Sequence, residues 1–154
     1  MTSLTFHAAG TPGAQGSKRH VGNGRLIESS KKVKPWRASV EAAARTAAHL
    51  TGWPTATGPV RVRVRFRIAR PAAHYRTGRN AHLLRDDAPA FPVQQQHGDV
   101  DKLQRSTFDA LTAAGVIADD KLVVVVDARK VWAREGEAPG ATIRVSTINP
   151  GMEA

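Results

Sequence analysis

Residues 96–105 read Gln-His-Gly-Asp-Val-Asp-Lys-Leu-Gln-Arg and lead directly into a helical pattern. Asp99 and Asp101 alternate just before that pattern, and in an extended segment residues i and i+2 point to the same side. Two carboxylates that reach one point suit a hard divalent cation such as Mg²⁺. Arg105 follows Asp101 by about one helical turn and would hold positive charge beside the same point. Carboxylates for a metal and a cation for a phosphate are the minimum set for metal-assisted phosphodiester cleavage.

A second acidic pair, Asp119-Asp120, lies just beyond the helical pattern. A purely structural interpretation stays open for all of these aspartates. Asp101 followed by Gln104 forms a capping-box pattern, because Asp is a preferred helix N-cap. Asp119 and Asp120 are also common turn residues. The alternation, the downstream arginine and the basic chain around a small acidic island together favour a metal site.

The segments after the acidic run predict a helix and two strands. Lys102 to Ala114 places small and apolar residues on one face, which is typical of a helix. Leu122 to Val126 is continuously apolar and predicts a strand buried on both faces, for which a dimer interface is one explanation. Ala141 to Ile148 alternates and predicts a last strand, in a hairpin with the strand before it. Trp132 is expected to anchor an edge by packing its ring under the long loop.

Upstream, the clearest strand covers Val60 to Ile68. Its apolar residues face a core, while Arg61, Arg63, Arg65 and Arg67 face outwards. Four such arginines usually form a solvated face, but in a basic chain they could also line a phosphate track. A helix is predicted from Trp36 to Leu50, with Pro35 at its first position. A short strand over residues 2–8 comes before it.

Two basic connections join these elements. Residues 10–20 form a glycine-rich loop without the spacing of a nucleotide-binding P-loop. Either a flexible connector or a clamp for backbone phosphates would explain it. Residues 69–98 show no periodicity, and a loop of that length is functional or disordered. These segments, the lysines just before the first helix and the start of the second helix supply the candidate DNA-binding residues, Lys18, Arg19, Lys31, Lys32, Arg76, Arg79 and Lys102.

Length and composition limit the class of protein. The 154 residues correspond to one domain, 1–154. The order β-α-β-(long loop)-α-β-β predicts an α+β fold with a small mixed sheet and two main helices. The absence of cysteine excludes disulfides and thiolate metal sites, which fits a reducing cytosol. A net charge of +10 favours nucleic acid as partner over a membrane, and no apolar run approaches the roughly 20 residues of a membrane span.

The order of acidic, helical and apolar segments resembles that of one family. The run Asp99-Val100-Asp101-Lys102-Leu103-Gln104-Arg105, then Phe108-Asp109-Ala110-Leu111, Asp119-Asp120 and a Val-rich strand up to Lys130, resembles the RusA family of Holliday-junction resolvases of phages and prophages. The resemblance covers most of the chain. It implies a RusA-like fold and a homodimeric endodeoxyribonuclease that depends on Mg²⁺, with Mn²⁺ as a substitute. Such an enzyme resolves four-way DNA junctions by paired symmetric nicks, without a small-molecule cofactor, in the cytoplasm of a bacterium or phage-infected host.

The resemblance also assigns site residues. It places the metal-binding aspartates on Asp99, Asp101 and Asp120, with Asp119 beside them. The essential lysine of the family falls on Arg105, which keeps the charge but is effectively never a proton donor or base. Arg105 would therefore stabilise the charge that builds on the phosphate oxygens. Gly98 and Lys102 stand where proline and asparagine are common in the family.

Two other functions stay open at this point. A non-catalytic basic nucleic-acid-binding protein, whose aspartates only cap helices, would bind DNA without Mg²⁺-dependent nicking. A different enzyme with an Asp-x-Asp motif, such as a nucleotide-sugar transferase or a phosphatase with an aspartyl nucleophile, normally carries that motif after a buried apolar strand. Residues 94–98, Gln-Gln-Gln-His-Gly, do not resemble such a strand.

The sequence does not decide which subunit supplies Asp120 to a site that contains Asp101. The predicted helix between them spans roughly 20 Å. Residues 115–120 could return that distance only if nearly fully extended, at about 3.3 Å per residue. This length slightly favours a composite site, in which Asp120 of one chain meets Asp99 and Asp101 of the other. An extended return within one chain is the alternative.

Overall fold

The fold combines a four-stranded mixed sheet with two main helices, which confirms the predicted α+β class. The computed structural model describes residues 2–16, 18–20, 22–24, 26–28 and 31–151. The elements are β1 (Ser3–Ala9), β2 (Lys18–His20), β3 (Leu26–Glu28), α1 (Val33–Thr51), β4 (Val60–Ile68), α2 (Val100–Ala113), β5 (Val123–Trp132) and β6 (Gly140–Thr147). β2 and β3 pair with each other in a small hairpin, which the sequence pattern did not predict.

The alternation in β4 determines which face of the sheet is buried. Val62, Val64 and Phe66 are buried, and their antiparallel partners in β6 include Val145 and Ile143. Both helices pack on this face, so that apolar residues of α1, α2, β1, β4 and β6 form one core cluster. Complete burial of one such aliphatic or aromatic side chain contributes about 1.5–3 kcal/mol. The opposite face of the sheet carries the arginines of β4.

The predicted hairpin between β5 and β6 is wrong. The strand order is β1-β6-β4-β5, so β6 lies between β1 and β4, antiparallel to both, and does not touch β5. This position places Ile143 directly between Phe6 and Val64 in the register, and Ile143 is fully buried. A hairpin at the edge of the sheet would leave the apolar side chains of β6 with a neighbouring strand on one side only. Burial of the β6 face therefore outweighs the short connection that favours a hairpin.

The Val-rich strand is an edge strand, so the fold of one chain does not bury both of its faces, and burial at a dimer interface stays a prediction. β5 pairs only with β4, in a parallel register reached through α2. Val124 is 60% exposed and Val126 is 41% exposed. The register shifts between Val60 and Arg61 of β4, so Val124 has no direct partner there. Continuous apolar residues in this strand thus mark an exposed edge rather than a central strand.

Both helices start earlier than predicted. α1 begins at Val33, so Pro35 is its third residue rather than its first. Proline is tolerated there because the first four N–H groups of a helix have no partner within it. Leu50, near the end of α1, is 78% exposed, whereas Trp36 and Val40 are buried. None of the helices in the described part of the chain is long and apolar enough to cross a bilayer.

Candidate active site

The start of α2 differs from the expected extended segment. Asp99 is the N-cap with extended backbone angles, φ −80° and ψ 141°, and the helix begins at Val100. Asp101 is therefore the second helical residue, and both the extended alternation and the capping box of Asp101 with Gln104 are wrong. The Asp99 side chain makes no capping hydrogen bond. It is 67% exposed and lies 3.5 Å from Nζ of Lys102.

A short segment with one β-bridge returns the chain from the end of α2 towards its start. Residue Ala56 pairs with Ile117 in a parallel bridge. The Ala56 N–H donates to Val116 over 3.0 Å, and the Ala118 N–H donates to Ala56 over 2.9 Å. The return leads to Asp120, which lies opposite the first two turns of α2. This return path allows one chain to carry both Asp101 and Asp120 in the same site.

One cavity of about 300 Å³ brings together the charged residues of these two segments. Its lining consists of Asp101, Lys102, Gln104, Arg105, Phe108 and Asp120. Asp101, Arg105 and Asp120 thus face one space within a single chain. Asp99 lies outside this lining, two residues away at the N-cap.

The donor set of the cavity fits Mg²⁺. No three His, Cys, Asp or Glu side chains of the described residues are grouped closely enough to hold a metal ion by themselves. Mg²⁺, however, keeps several waters and is usually bound through one or two carboxylates together with substrate phosphates. Asp101 and Asp120 supply two such carboxylates on an open cavity. The arrangement therefore suits a metal that shares its coordination with a bound phosphodiester.

The adjacent residues Asp119 and Asp120 have different contacts. The Asp119 carboxylate accepts a hydrogen bond from the Lys121 N–H over 2.9 Å and caps a short 3₁₀ turn. This bond is the main reason why the pKa of Asp119 lies below its usual value, and the Asp120 carboxyl and the Lys121 charge act in the same direction. Asp119 is thus a turn residue, as its structural interpretation predicts, while Asp120 faces the cavity.

A family comparison agrees with this geometry. A family model described as Endodeoxyribonuclease RusA matches residues 9–146. The chain belongs to the RusA endodeoxyribonuclease family. The match covers both acidic segments, and it confirms the family resemblance seen between Asp99 and Lys130. Membership supports a nuclease, a hydrolase of phosphodiester bonds. A comparison with the curated proteins gave no match.

In this RusA-family chain, Arg105 lies against the glycine-rich loop. A Cβ atom on Gly16 would stand 3.2 Å from Nη1 of Arg105. Gly16 also has φ +133°, a backbone angle that residues other than glycine rarely adopt. The glycine therefore leaves room for the guanidinium group at the rim of the cavity.

The glycine-rich loop is docked on α2, which disagrees with the interpretation as a flexible connector. Three hydrogen bonds hold it: Ser106 Oγ to Gly13 O at 2.6 Å, the Gln15 N–H to Lys102 O at 3.0 Å, and Gln15 Nε2 to Asp109 Oδ2 at 2.7 Å. Gly16 at the end of this loop consequently lies beside Arg105 and Lys102, which line the cavity. Lys18 and Arg19 belong to β2, but their side chains lie outside the described part of the structure.

Gly98 and Lys130 fix the backbone immediately before Asp99. Gly98 has φ +79° and ψ 156°, and a Cβ there would lie 2.8 Å from the Cβ of Ala14. Proline, which is common here in RusA-family sequences, fixes φ near −65° and could not adopt this conformation. The Gly98 carbonyl accepts a 2.6 Å hydrogen bond from Nζ of Lys130. Sequence reasoning missed this contact, although a lysine between Ala128 and Trp132 on the helix-facing side of β5 was a signal.

Trp132 organises the long loop beside the site, which confirms its predicted role as an anchor. Its indole donates to Pro89 O over 2.9 Å, and its ring contacts His74 and His97 edge-on, with Arg70 stacked over it. His97 is 8% exposed, and its Nε2 is buried with no hydrogen-bond partner among the described residues. Burial is the main cause that lowers the pKa of His97, and the charges of Lys32 and Lys130 add to it. The residues before Asp99 therefore sit on an ordered support.

The structure gives several predicted DNA contacts a partner within the chain. Lys32 Nζ donates to Gln96 O over 2.9 Å, and Arg76 forms an ion pair of 2.9 Å with Asp86. Lys102 stands 3.5 Å from Asp99. Lys31 and Arg79 are exposed. Their roles in DNA binding stay predictions.

Proposed function

We propose that this RusA-family chain is a Mg²⁺-dependent endodeoxyribonuclease that resolves four-way DNA junctions by paired symmetric nicks. The observation that carries the proposal is the cavity shared by Asp101, Arg105 and Asp120 in one chain. Two carboxylates can hold a hard cation, and the arginine can hold the phosphate that shares it. The basic chain, with net charge +10, supplies affinity for a polyanion.

Asp101 and Asp120 would hold Mg²⁺, or Mn²⁺ in its place, with Asp99 as the third carboxylate of the set. A metal held there would supply an acidified water molecule and polarise a phosphoryl oxygen. In the structure, Nζ of Lys102 lies 3.5 Å from the Asp99 carboxylate and partly neutralises the charge of that carboxylate beside the cavity. Lys130, through the Gly98 carbonyl, holds the backbone from which Asp99 projects.

Arg105 would act on the phosphate rather than on a proton. Its guanidinium stays protonated at any physiological pH, so it cannot serve as an acid or a base. Its planar group can donate two parallel hydrogen bonds to phosphate oxygens. The negative charge on those oxygens increases towards the transition state. A fixed hydrogen-bond donor that stabilises this charge lowers the activation barrier.

Paired nicks require two sites, which we propose that a two-fold homodimer supplies. The exposed valines of the β5 edge, Val124 and Val126, are the apolar surface that we assign to the interface. We also propose that each subunit carries its own Asp101 and Asp120, because both residues line one cavity of a single chain. This replaces the slight sequence-based preference for a composite site.

A non-catalytic DNA-binding protein is the alternative function. It requires that the aspartates serve as helix caps. The N-cap Asp99 makes no side-chain capping bond, and Asp101 lies inside the helix. Only Asp119 makes the expected capping contact. These contacts favour the nuclease.

A labelled four-way junction, incubated with and without Mg²⁺, tests the proposal. We expect paired symmetric nicks in the junction only with Mg²⁺, and much weaker cleavage of a linear duplex built from the same arm sequence. Binding of the junction without cleavage at any Mg²⁺ or Mn²⁺ concentration would favour the alternative function.

A mixed dimer tests where each site is located. One subunit carries Asp101→Asn and the other carries Asp120→Asn. If each chain holds its own site, both sites are damaged and no nick appears. Single nicks from a verified mixed dimer would instead show that one intact site is built from both chains.

A further inference from the structure

The sheet face opposite the helices carries a second concentration of positive charge. Arg63, Arg65, Arg129 and Arg144 form what we call the arginine face. They surround an open groove of about 420 Å³. The groove is lined by Thr5, Arg63, Val64, Arg65, Asp127, Arg129, Thr142 and Arg144. Four cations thus share this groove with a single carboxylate.

The strand register brings like charges together on this face. Arg63 lies directly opposite Arg144 of β6, and Arg65 lies directly opposite Arg129 of β5. Like charges at directly opposed positions of a sheet are destabilising. A bound anion would relieve the repulsion between these opposed arginines.

The acidic residues nearby neutralise the arginine face only in part. Asp127 lies 3.8 Å from Arg63 and 3.4 Å from Arg129, so one carboxylate serves two cations that are 56% and 63% exposed. Arg65 pairs with Glu137 at 3.0 Å. Among the described residues, Arg144 donates to a neutral hydroxyl, that of Ser3, over 3.3 Å.

Arg67 of β4, in contrast, is an arginine whose side chain is used in the packing of the fold. It is 7% exposed, and it donates to Ala138 O over 3.0 Å and to the Thr142 hydroxyl over 2.7 Å. Its polar groups are used inside the fold. Within the described part of the chain, Arg63 and Arg144 have no comparable set of partners, and both line the groove.

We propose that the arginine face binds the phosphodiester backbone of a duplex DNA arm. Arginine matches phosphate with two parallel hydrogen bonds, and the hydroxyls of Thr5 and Thr142 add neutral donors of the kind that contact DNA backbones. Neighbouring strands are about 4.8 Å apart and alternate residues about 6.6 Å apart, so several phosphates can be met at once. The inference rests on the proposed function for the identity of the polyanion. The cavity of Asp101 and Asp120 lies in the helix layer, so the arginine face holds an arm and not the scissile phosphate.

The test compares two double variants that remove the same charge from opposite sides of the sheet. Arg63→Gln/Arg144→Gln changes the arginine face, and Arg37→Gln/Arg45→Gln changes α1. Junction binding is measured without Mg²⁺, between 50 and 200 mM salt. Each phosphate contact contributes about 0.9 to the slope of log affinity against log salt. Loss of two contacts should flatten the slope by about 1.8, so the wild type loses about 12-fold more affinity over this range than the variant.

The outcomes are distinct. A flatter slope for the arginine-face variant alone, with unchanged single-turnover cleavage at saturating protein, supports the proposal. Equal slopes for wild type and variant, or equal changes in both double variants, would overturn it. If the wild type binds the junction but never cleaves it, the proposed function fails while this inference stands. Altered self-association with unchanged DNA affinity would identify a second copy as the occupant and refute the DNA surface.

Misfolding of the variant is controlled separately. Arg63 and Arg144 repel each other, so their replacement should leave Tm unchanged or raise it. Arg129→Gln, on the edge strand, should flatten the slope by about 0.9 on its own. A lowered Tm for the double variant together with a wild-type slope for Arg129→Gln would overturn the proposal.

Discussion

Gly98→Ala should damage both stability and cleavage, because the added methyl group has neither a permitted backbone conformation nor space. The φ of +79° and ψ of 156° lie near a region that is essentially restricted to glycine, and a residue held there costs about 1–3 kcal/mol. In a domain of this size about 1 kcal/mol lowers Tm by about 2–4 °C. The backbone effect alone therefore predicts a decrease of about 2–12 °C. The contact of 2.8 Å with Ala14 adds to it.

Cleavage should fall further than stability suggests. Relief of the contact moves residue 98, and Asp99 follows it in the chain. A displacement of about 1 Å at a reacting group can cost about 100-fold in rate. Single-turnover cleavage of a four-way junction, measured well below the Tm of the variant, separates this effect from unfolding.

Three further variants separate the backbone cost of Gly98→Ala from the cost of its contact with Ala14. Gly58→Ala has open space and an ordinary backbone, so it should be neutral. Gly78→Ala has open space but φ +64°, so it should show the backbone cost alone. Ala14→Gly should rescue part of the Gly98→Ala loss, because it removes the atom in contact. Wild-type Tm and cleavage for Gly98→Ala, or no coupling with Ala14→Gly, would show that this packing does not position Asp99.

Other predictions concern the cations of the site and one surface ion pair. Lys130→Met leaves the Gly98 carbonyl without its hydrogen-bond donor and should lower the free energy of unfolding by about 1–3 kcal/mol. It should also slow cleavage without weakening junction binding. A wild-type cleavage rate would exclude a positioning role for Lys130. Arg105→Lys should retain much activity while Arg105→Ala loses about 100- to 1000-fold, and equal rates for both would remove Arg105 from the mechanism. Arg65 lowers the pKa of Glu137 from 4.5 to about 2, so Glu137 stabilises the fold above pH 4.5 and loses that effect as the pH falls towards 2. Glu137→Gln should therefore lower Tm at pH 7 by more than at pH 3, and a constant difference would contradict the assignment.

The elements with a clear period were predictable from the sequence. β4 follows strict alternation, and α2 carries its buried face on Leu103, Ala110 and Leu111 as expected. Sheet order was not predictable, because a strand's own sequence does not say which strand lies beside it. The residue pattern of β6 is compatible with an edge hairpin and with a central position. The run of valines in β5 is likewise compatible with a buried strand and with an exposed edge strand.

The residues grouped in the candidate site were predictable in part, since Asp99 was expected among them but lies outside the lining of the cavity. Asp101, Arg105 and Asp120 were singled out from spacing and family resemblance, and the structure places them on one cavity. The support of that cavity depends on contacts distant in sequence, such as Lys130 with Gly98 and Gln15 with Asp109. No local pattern encodes such contacts, because they form only when the sheet and α2 have packed.

The central claim is that the cavity of Asp101 and Asp120 is the nuclease centre, and adjacent aspartates allow it to be tested directly. Asp120→Asn removes a carboxylate from the cavity, while Asp119→Asn makes the same change in a residue that caps a turn. Cleavage of a four-way junction in Mg²⁺ is measured for both, beside junction binding without metal. We predict that Asp120→Asn loses cleavage by orders of magnitude with wild-type binding, and that Asp119→Asn retains most of both. Equal cleavage by the two variants, or full activity of Asp120→Asn, would contradict the account.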